Sequence, residues 1–144
     1  MASRAESIMQ AVVRALTVPA MSSVAAAHVY RDPTREVPET AAAAVIVEEG
    51  DEPPPDLSTL TVAYREIEVR LSAIARGRPA GTAADTVLVE AHNRLMADQT
   101  LGGHALRITE DETRRQRDGQ EQDVASVTKT YRIEYRTAAY SLEN

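Results

Sequence analysis

The chain of 144 residues contains no cysteine, no tryptophan and no phenylalanine, and its five aromatic side chains are all tyrosines. Without cysteine there are no disulfides and no thiolate metal ligands, which is typical of proteins from reducing compartments. No apolar run approaches the roughly 20 residues of a membrane-spanning helix. The first ten residues also lack the apolar region of a signal peptide. We therefore expect a soluble cytoplasmic product with no membrane partner.

Positive charge is also scarce, with 16 lysines and arginines against 22 acidic residues, a net charge of −6 and a pI of about 5.1. This balance argues against a nucleic-acid-binding protein that neutralises many phosphates. Hydrophobic residues make up 43% of the chain, but many of them are alanine, so large core side chains are few. The length fits a single domain over residues 1–144. A thin core favours additional burial by oligomerisation.

Two amphipathic helices are predicted. Ser3 and Glu6 have the spacing of a capping box, and Pro19 ends the run that begins there. The second helix follows the turn GRPAGT, with Thr82 and Asp85 as its capping residues, and ends before TLGG. Apolar residues recur at helical spacing in both segments and are expected to be buried: Ala5, Ile8, Met9, Val12 and Leu16 in the first, and Ala84, Val87, Leu88, Ala91 and Leu95 in the second.

Between the helices the pattern favours three strands: an ambiguous one near Val29 in the alanine-rich stretch 20–32, one centred on 45–47, and a long one over 58–76. In the long strand, apolar residues alternate strictly from Ile67 to Ala75. Leu60, Val62 and Tyr64 follow the opposite phase. Because an inserted residue exchanges the two faces of a strand, this change predicts a β-bulge near Arg65.

The last part of the chain predicts a long β-hairpin. Asp118 and Gly119 are typical of a two-residue type I′ turn. A turn there pairs residue 117 with residue 120 and places Leu106 opposite Tyr131. Because residues 109–123 contain no large apolar side chain, the tip is expected to project beyond the sheet.

These elements predict an α+β fold in the order α-β-β-β-α-β-β. Two helices pack on a mainly antiparallel sheet. The second arm of the hairpin supplies Tyr131, Ile133 and Tyr135 to the core, in a chain that otherwise offers mostly alanine and valine.

The sequence contains no recognisable constellation for catalysis. His28, His92 and His104 are isolated, without metal-ligand spacing, and we expect structural or solvent-facing roles for them. The segments GRPAG and TLGG do not match a phosphate-binding loop, and EEGDEP lacks the length and closing glutamate of a calcium loop. No serine stands in a G-x-S-x-G context. We predict no catalytic residue, no cofactor and no metal, and hence no enzyme.

The charges of the hairpin alternate in blocks. Acids come first, then bases, then acids again: Glu110, Asp111 and Glu112; Arg114, Arg115 and Arg117; Asp118, Glu121 and Asp123. One interpretation is a solvated arm. The other is a self-complementary interface, in which bases of one subunit meet acids of the next copy. Charge alone leaves both open.

Two short motifs resemble the phage tail terminator family, also called tail completion or minor tail U-like proteins. They are DQTLGG at 98–103, after the second helix, and YRIEYRT at 131–137, in the last strand. The order of helices and strands is also similar to that family. The motifs lie within the last 60 or so residues, and the alanine-rich stretch 20–44 does not take part in the likeness.

The resemblance implies a structural virion protein of the tail or neck, made in the host cytoplasm. Such proteins form a homo-hexameric ring that caps the tail tube, stops polymerisation of the tail tube protein and offers a surface to the head–tail connector or neck proteins. Genomic DNA passes through the lumen without specific binding, and an acidic ring would repel it rather than hold it. The alternative is a head-side neck or stopper adaptor, with similar size and ring logic.

Overall fold

A computed structural model of the chain describes residues 2–31, 42–57, 60–77, 80–118 and 124–143. The elements are α1 (Arg4–Thr17), β1 (Val29–Arg31), β2 (Ala43–Glu49), β3 (Val62–Arg76), α2 (Ala80–Met96), β4 (Arg107–Asp118) and β5 (Val124–Ala138), with a short 3-10 helix, Ala26–His28, before β1. The predicted order of two helices and five strands is confirmed. The ambiguous segment near Val29 does form a strand.

The five strands form one sheet in the order β1-β2-β3-β5-β4. β1 and β2 are parallel, and the other three pairs are antiparallel. β5 therefore lies inside the sheet, and it pairs with β3 from Val124 to Ala138. β4 lies at one edge of this sheet and the short β1 at the other.

The helices cover one face of the sheet. α2 packs on β2, β3 and β5, while α1 packs against α2 and β1. Alternate residues of β3 and β5 point into this core, and Tyr131 is the largest of the fully buried side chains. Both predicted stripes are buried except for Ala5, which is only half-buried: Ile8, Met9, Val12 and Leu16 of α1, and Ala84, Val87, Leu88, Ala91 and Leu95 of α2. Tyr131, Ile133 and Tyr135 are buried as predicted.

The capping predictions hold in part. Ser3 caps α1, and its Oγ accepts a hydrogen bond of 3.1 Å from the backbone N–H of Glu6. The carboxylate of Glu6 does not close the box but binds Arg31 at 2.6 and 2.7 Å. The prediction for α2 was wrong, because the helix already begins at Ala80 and Thr82 and Asp85 lie inside it. An earlier start lets Ala80 and Ala84, four residues apart on one face, both pack into the core.

The predicted bulge near Arg65 is absent from β3. The register with β5 runs without a shift from Val62 opposite Ala138 to Arg76 opposite Val124. The buried face continues upstream through the small Ala63, while Tyr64 points to the exposed face. The apparent change of phase reflects apolar residues on the solvent side of the strand, rather than a change in the strand itself.

The predicted hairpin register was also wrong. Asp118 lies in β4 opposite Val124, so the turn is not formed by Asp118 and Gly119; residues 119–123, which connect the strands, lie outside the described residues. Ile108, and not Leu106, is buried, and it pairs with Ile133. Tyr131 pairs with Glu110 rather than with Leu106, a displacement of four residues. An even displacement leaves the same side chains on each face, so the alternation of apolar residues could not distinguish the two registers.

The hairpin is long, as predicted, but its described part does not project from the sheet. β5 is paired with β3 along its whole length, and β4 is the arm at the edge. Ala125 and Val127, near the far end of β5, are buried. Because β3 pairs with this end of β5, the end remains part of the sheet.

Candidate functional site: the charged edge strand

The charged segment singled out from the sequence forms the edge strand β4. It has β5 on one side, and no strand of the described sheet lies on the other. The strand contains an irregularity between Glu110 and Thr113, where the pairing with β5 shifts by one residue. Bulges and charged side chains are the usual protection of an exposed edge against unwanted strand pairing.

Glu110 lies at the start of this irregularity and joins a polar cluster beneath the edge. Its Oε1 is 3.1 Å from Nζ of Lys129 and 4.0 Å from Nε2 of His92. Lys129 also donates to Oγ1 of Thr113 at 3.0 Å. The hydrogen bond from Lys129 lowers the pKa of Glu110. A buried lysine stem and an acid of the edge strand thus hold the bulge to β5.

The same cluster explains His92. A hydrogen bond of 2.8 Å joins its Nδ1 to the hydroxyl of Tyr131, and the two rings stack. Burial raises the pKa of the Tyr131 hydroxyl above its ordinary range, and the nearby charge of Glu110 adds to this effect. His92 therefore satisfies a buried phenol, in line with the structural role expected for it.

Asp111 faces the other side of the sheet, where Arg132 of β5 stands between two acids. The Nε of Arg132 donates to Asp111 and its Nη1 donates to Glu66 of β3, both at 2.8 Å. The hydrogen bond from Arg132 lowers the pKa of Asp111, and the two acids raise the pKa of Arg132. Charges on three adjacent strands are thereby linked across the exposed face.

The bases of the segment also have partners in their own chain. Arg114 binds Glu112, two residues before it, at 2.6 Å, and Arg115 binds Asp85 of α2 at 3.0 Å. Arg117 and Asp118 belong to β4, but their side chains are not described, and Glu121 lies outside the described residues. The expectation that this segment also meets a neighbouring copy stays a prediction.

Sequence reasoning found the charged strand but missed most of its partners. Lys129, Arg132 and Glu66 were not singled out, and Asp85 was interpreted as a helix cap. Only the register of β4 against β5, and of β5 against β3, brings these groups together. Predicting these contacts from the sequence would therefore have required the correct pairing of the three strands.

The DQTLGG motif forms a tight turn after α2. The carboxylate of Asp98 accepts hydrogen bonds from the N–H and hydroxyl of Thr100, at 3.0 and 2.6 Å, and from the N–H of Gly102 at 2.9 Å. The bond from the Thr100 hydroxyl is the largest effect that lowers the pKa of Asp98. Leu101, Gly102 and Gly103 all have positive φ, at 49°, 71° and 92°. Two glycines suit this backbone, and Leu101 is held there by burial.

The second motif, YRIEYRT, separates its residues between the two faces of β5. Tyr131, Ile133, Tyr135 and Thr137 are buried under the helices, whereas Arg132, Glu134 and Arg136 face outward. Glu134 pairs with Arg107 at the start of β4, at 2.8 and 2.9 Å. Both motifs therefore have a clear structural basis in this chain.

Among the described residues, no group of three or more histidine, aspartate or glutamate side chains is placed to hold a metal ion. None of the described helices combines the length and the apolar character needed to cross a bilayer. The chemistry that this arrangement supports is electrostatic contact: paired charges on an edge strand and on the exposed sheet face.

No family model matches the chain, and no curated protein matches it. Among solved structures, the chain is similar to a chain of the virion of a native gene transfer agent (GTA) particle, with a TM-score of 0.68 at 15% identity. The match covers 95% of this chain and 100% of the other. The likeness shows that this fold occurs, from end to end, in a protein of a virion particle.

Proposed function

We propose that the chain is a structural, non-enzymatic protein of a phage-like virion, and specifically a tail terminator. It would form a homo-hexameric ring on the end of the tail tube, block the addition of further tail tube protein and offer its opposite surface to the head–tail connector or neck proteins. It would act in the host cytoplasm during assembly and remain in the tail or neck of the virion.

The observation that carries this proposal is the likeness to a virion chain over nearly the whole fold. The resemblance of DQTLGG and YRIEYRT to the tail terminator family directs it from virion proteins in general to the tail end. Both motifs determine turns and core packing here, as expected for features that define a fold.

The charged edge strand gives separate support to the proposal of a ring. Salt bridges within the chain leave acids and bases side by side along β4, so that the strand presents both signs to a neighbour. Such a surface selects its partner and its register more than it adds affinity. In a closed ring, every subunit uses the same contact, so a small gain is repeated at each interface.

The test is deletion of the gene for this chain from the genome that encodes the particle, followed by electron microscopy of the particles produced. A terminator leaves tails of uncontrolled length that do not join heads when it is missing. If tails keep their normal length and only head joining is lost, the protein acts as a head-side neck or stopper adaptor instead.

A further inference from the structure

Exposed apolar side chains concentrate at one end of the sheet. In the part of the chain that the structure describes, eight large apolar side chains are exposed, and two of them lie elsewhere: Val18 just after α1 and Val89 on α2. The other six lie where β3 and β4 begin and β5 ends: Leu57, Leu60, Tyr64, Leu106, Tyr140 and Leu142. We call this set the apolar end. Apolar groups scattered singly need no explanation, but a cluster marks a contact surface.

Backbone contacts bring these residues together. Asp56 bridges to Tyr64, which places Leu57 beside the first residues of β3. The N–H of Ala139 donates to the carbonyl of Thr61 at 3.0 Å, so the segment after β5 runs next to Leu60. The N–H of Leu106 donates to the carbonyl of Glu134 at 2.7 Å. These contacts place the segments that carry the six side chains next to one another at one end of the sheet.

The segment 139–143 is fastened to the body although its apolar side chains point outward. The N–H of Arg4 donates to the carbonyl of Leu142 at 2.7 Å, and the guanidinium of Arg65 donates to the carbonyl of Ser141 at 3.2 Å. Between these attachments Tyr140 has a φ of 64° and is 91% exposed. A bulky residue rarely adopts this conformation, and such outliers occur most often at functional positions.

Cations surround the same region. Arg4, Arg65 and Arg136 lie there, and none of them forms an ion pair with a carboxylate among the described residues. A groove of about 410 Å³ runs between Arg4, Leu106 and Arg136. In a chain with a net charge of −6, three arginines without acidic partners at one place favour an occupant that brings its own carboxylates.

We propose that the apolar end is the docking surface for a different protein of the same particle, through a segment that carries large apolar side chains and carboxylates. A second copy of this chain bound through the same surface is less suited, because it would bring arginines against arginines: Arg4, Arg65 and Arg136. The choice of a virion component as partner rests on the proposed function.

The experiment compares variants of the full chain, each supplied in place of the natural gene in the producing host. The test variant carries Leu60→Ser, Tyr140→Ser and Leu142→Ser, and its matched control carries Val18→Ser and Val89→Ser at the two exposed positions outside the apolar end. A second pair sets Arg136→Glu against Arg14→Glu, an exposed arginine of α1. Copies of the chain per particle are counted by quantitative mass spectrometry, and self-association of the purified variants by native mass spectrometry.

The proposal expects both test variants to fall at least tenfold in copies per particle, with self-association unchanged and both controls near wild type. Test variants that enter particles like wild type would overturn it while the proposed function stands. Loss of self-association in the test variants would also overturn it, since the surface would then join copies of this chain. Absence of the wild-type chain from particles would defeat the proposed function, and this inference with it.

Discussion

Nη1 of Arg115 on β4 lies 3.0 Å from Oδ1 of Asp85 on α2, and this ion pair connects the edge strand to the helix layer. The two side chains are 63% and 51% exposed. Exposed ion pairs contribute little, about 0.2–1 kcal/mol. The contact orients the edge strand more than it stabilises the fold.

The first prediction follows from this exposure. A double-mutant cycle with Asp85→Asn and Arg115→Gln, measured by urea unfolding, should give a coupling free energy of about 0.2–1 kcal/mol that decreases at high salt. A coupling of several kcal/mol would mean that the pair is shielded from water, for instance by a neighbouring subunit.

The second prediction concerns the ring. Changing Arg114, Arg115 and Arg117 together to glutamate should weaken self-association, because bases that meet acids of the next copy become acids. The monomer should stay folded, since the described side chains of Arg114 and Arg115 are exposed. Native mass spectrometry over a salt series gives the readout, and high salt should weaken the wild-type oligomer in the same direction.

Asp85→Asn is the matched control for that experiment. It breaks the pair with Arg115 within the chain and leaves every charge of β4 in place. If the triple variant is as oligomeric as wild type, the edge strand does not join subunits and faces another partner or water.

The third prediction tests the core. Val12 is fully buried on α1, so Val12→Asp places an unpaired carboxylate in an apolar site and should cost several kcal/mol, or prevent folding. Val89→Asp, the same substitution at a half-exposed position of α2, should cost about 1 kcal/mol or less. Urea unfolding compares the two. Equal stabilities would show that the α1 stripe is not core.

The fourth prediction is a pH dependence centred on Glu90. Burial opposes its ionisation, but hydrogen bonds from Ser22 and Ser23 outweigh this and lower its pKa from 4.5 to about 2. A pKa lowered by folding means that the ionised group stabilises the fold above the unfolded value, and that this contribution is lost as pH falls from about 4.5 towards 2.

Glu90→Gln should therefore be less stable than wild type at pH 7, by about 1.5–3 kcal/mol as for hydrogen bonds to a charged group. The difference should shrink below pH 4 and nearly vanish near pH 2. Chemical unfolding at pH 7, 4 and 2.5 measures it. A difference that does not change with pH would place the stabilisation in packing rather than in the carboxylate.

The sequence predicted correctly those elements in which a single periodic pattern of apolar residues determined the structure. Helical spacing placed Val12 and Leu95 in the core, and strict alternation placed Ile67 to Ala75 in a half-buried strand. Prediction failed for the register of the hairpin. Asp118 with Gly119 is a strong turn signal, yet Asp118 pairs with Val124 and Ile108 pairs with Ile133, a register that the alternation of apolar residues does not distinguish from the predicted one.

The candidate site was predictable as a segment but not as a network. Blocks of charge in β4 are visible in the sequence, whereas the contact of Arg115 with Asp85 depends on how far β4 extends and on where α2 begins. The apolar end was not predicted at all. Its residues come from three separate parts of the chain, and Leu60 and Tyr64 were interpreted as one face of a bulged strand.

The measurement that tests the central proposal most directly is the length of tail tubes grown from purified tail tube protein with increasing amounts of this chain. If the chain caps the growing end, the mean length should fall as its molar ratio to tube protein rises, and short tubes should carry it at one end only. The Leu60→Ser, Tyr140→Ser and Leu142→Ser variant, which changes only exposed side chains of the apolar end, is the companion sample. A length distribution that stays the same when the wild-type chain is in excess over tube ends would contradict the tail terminator account.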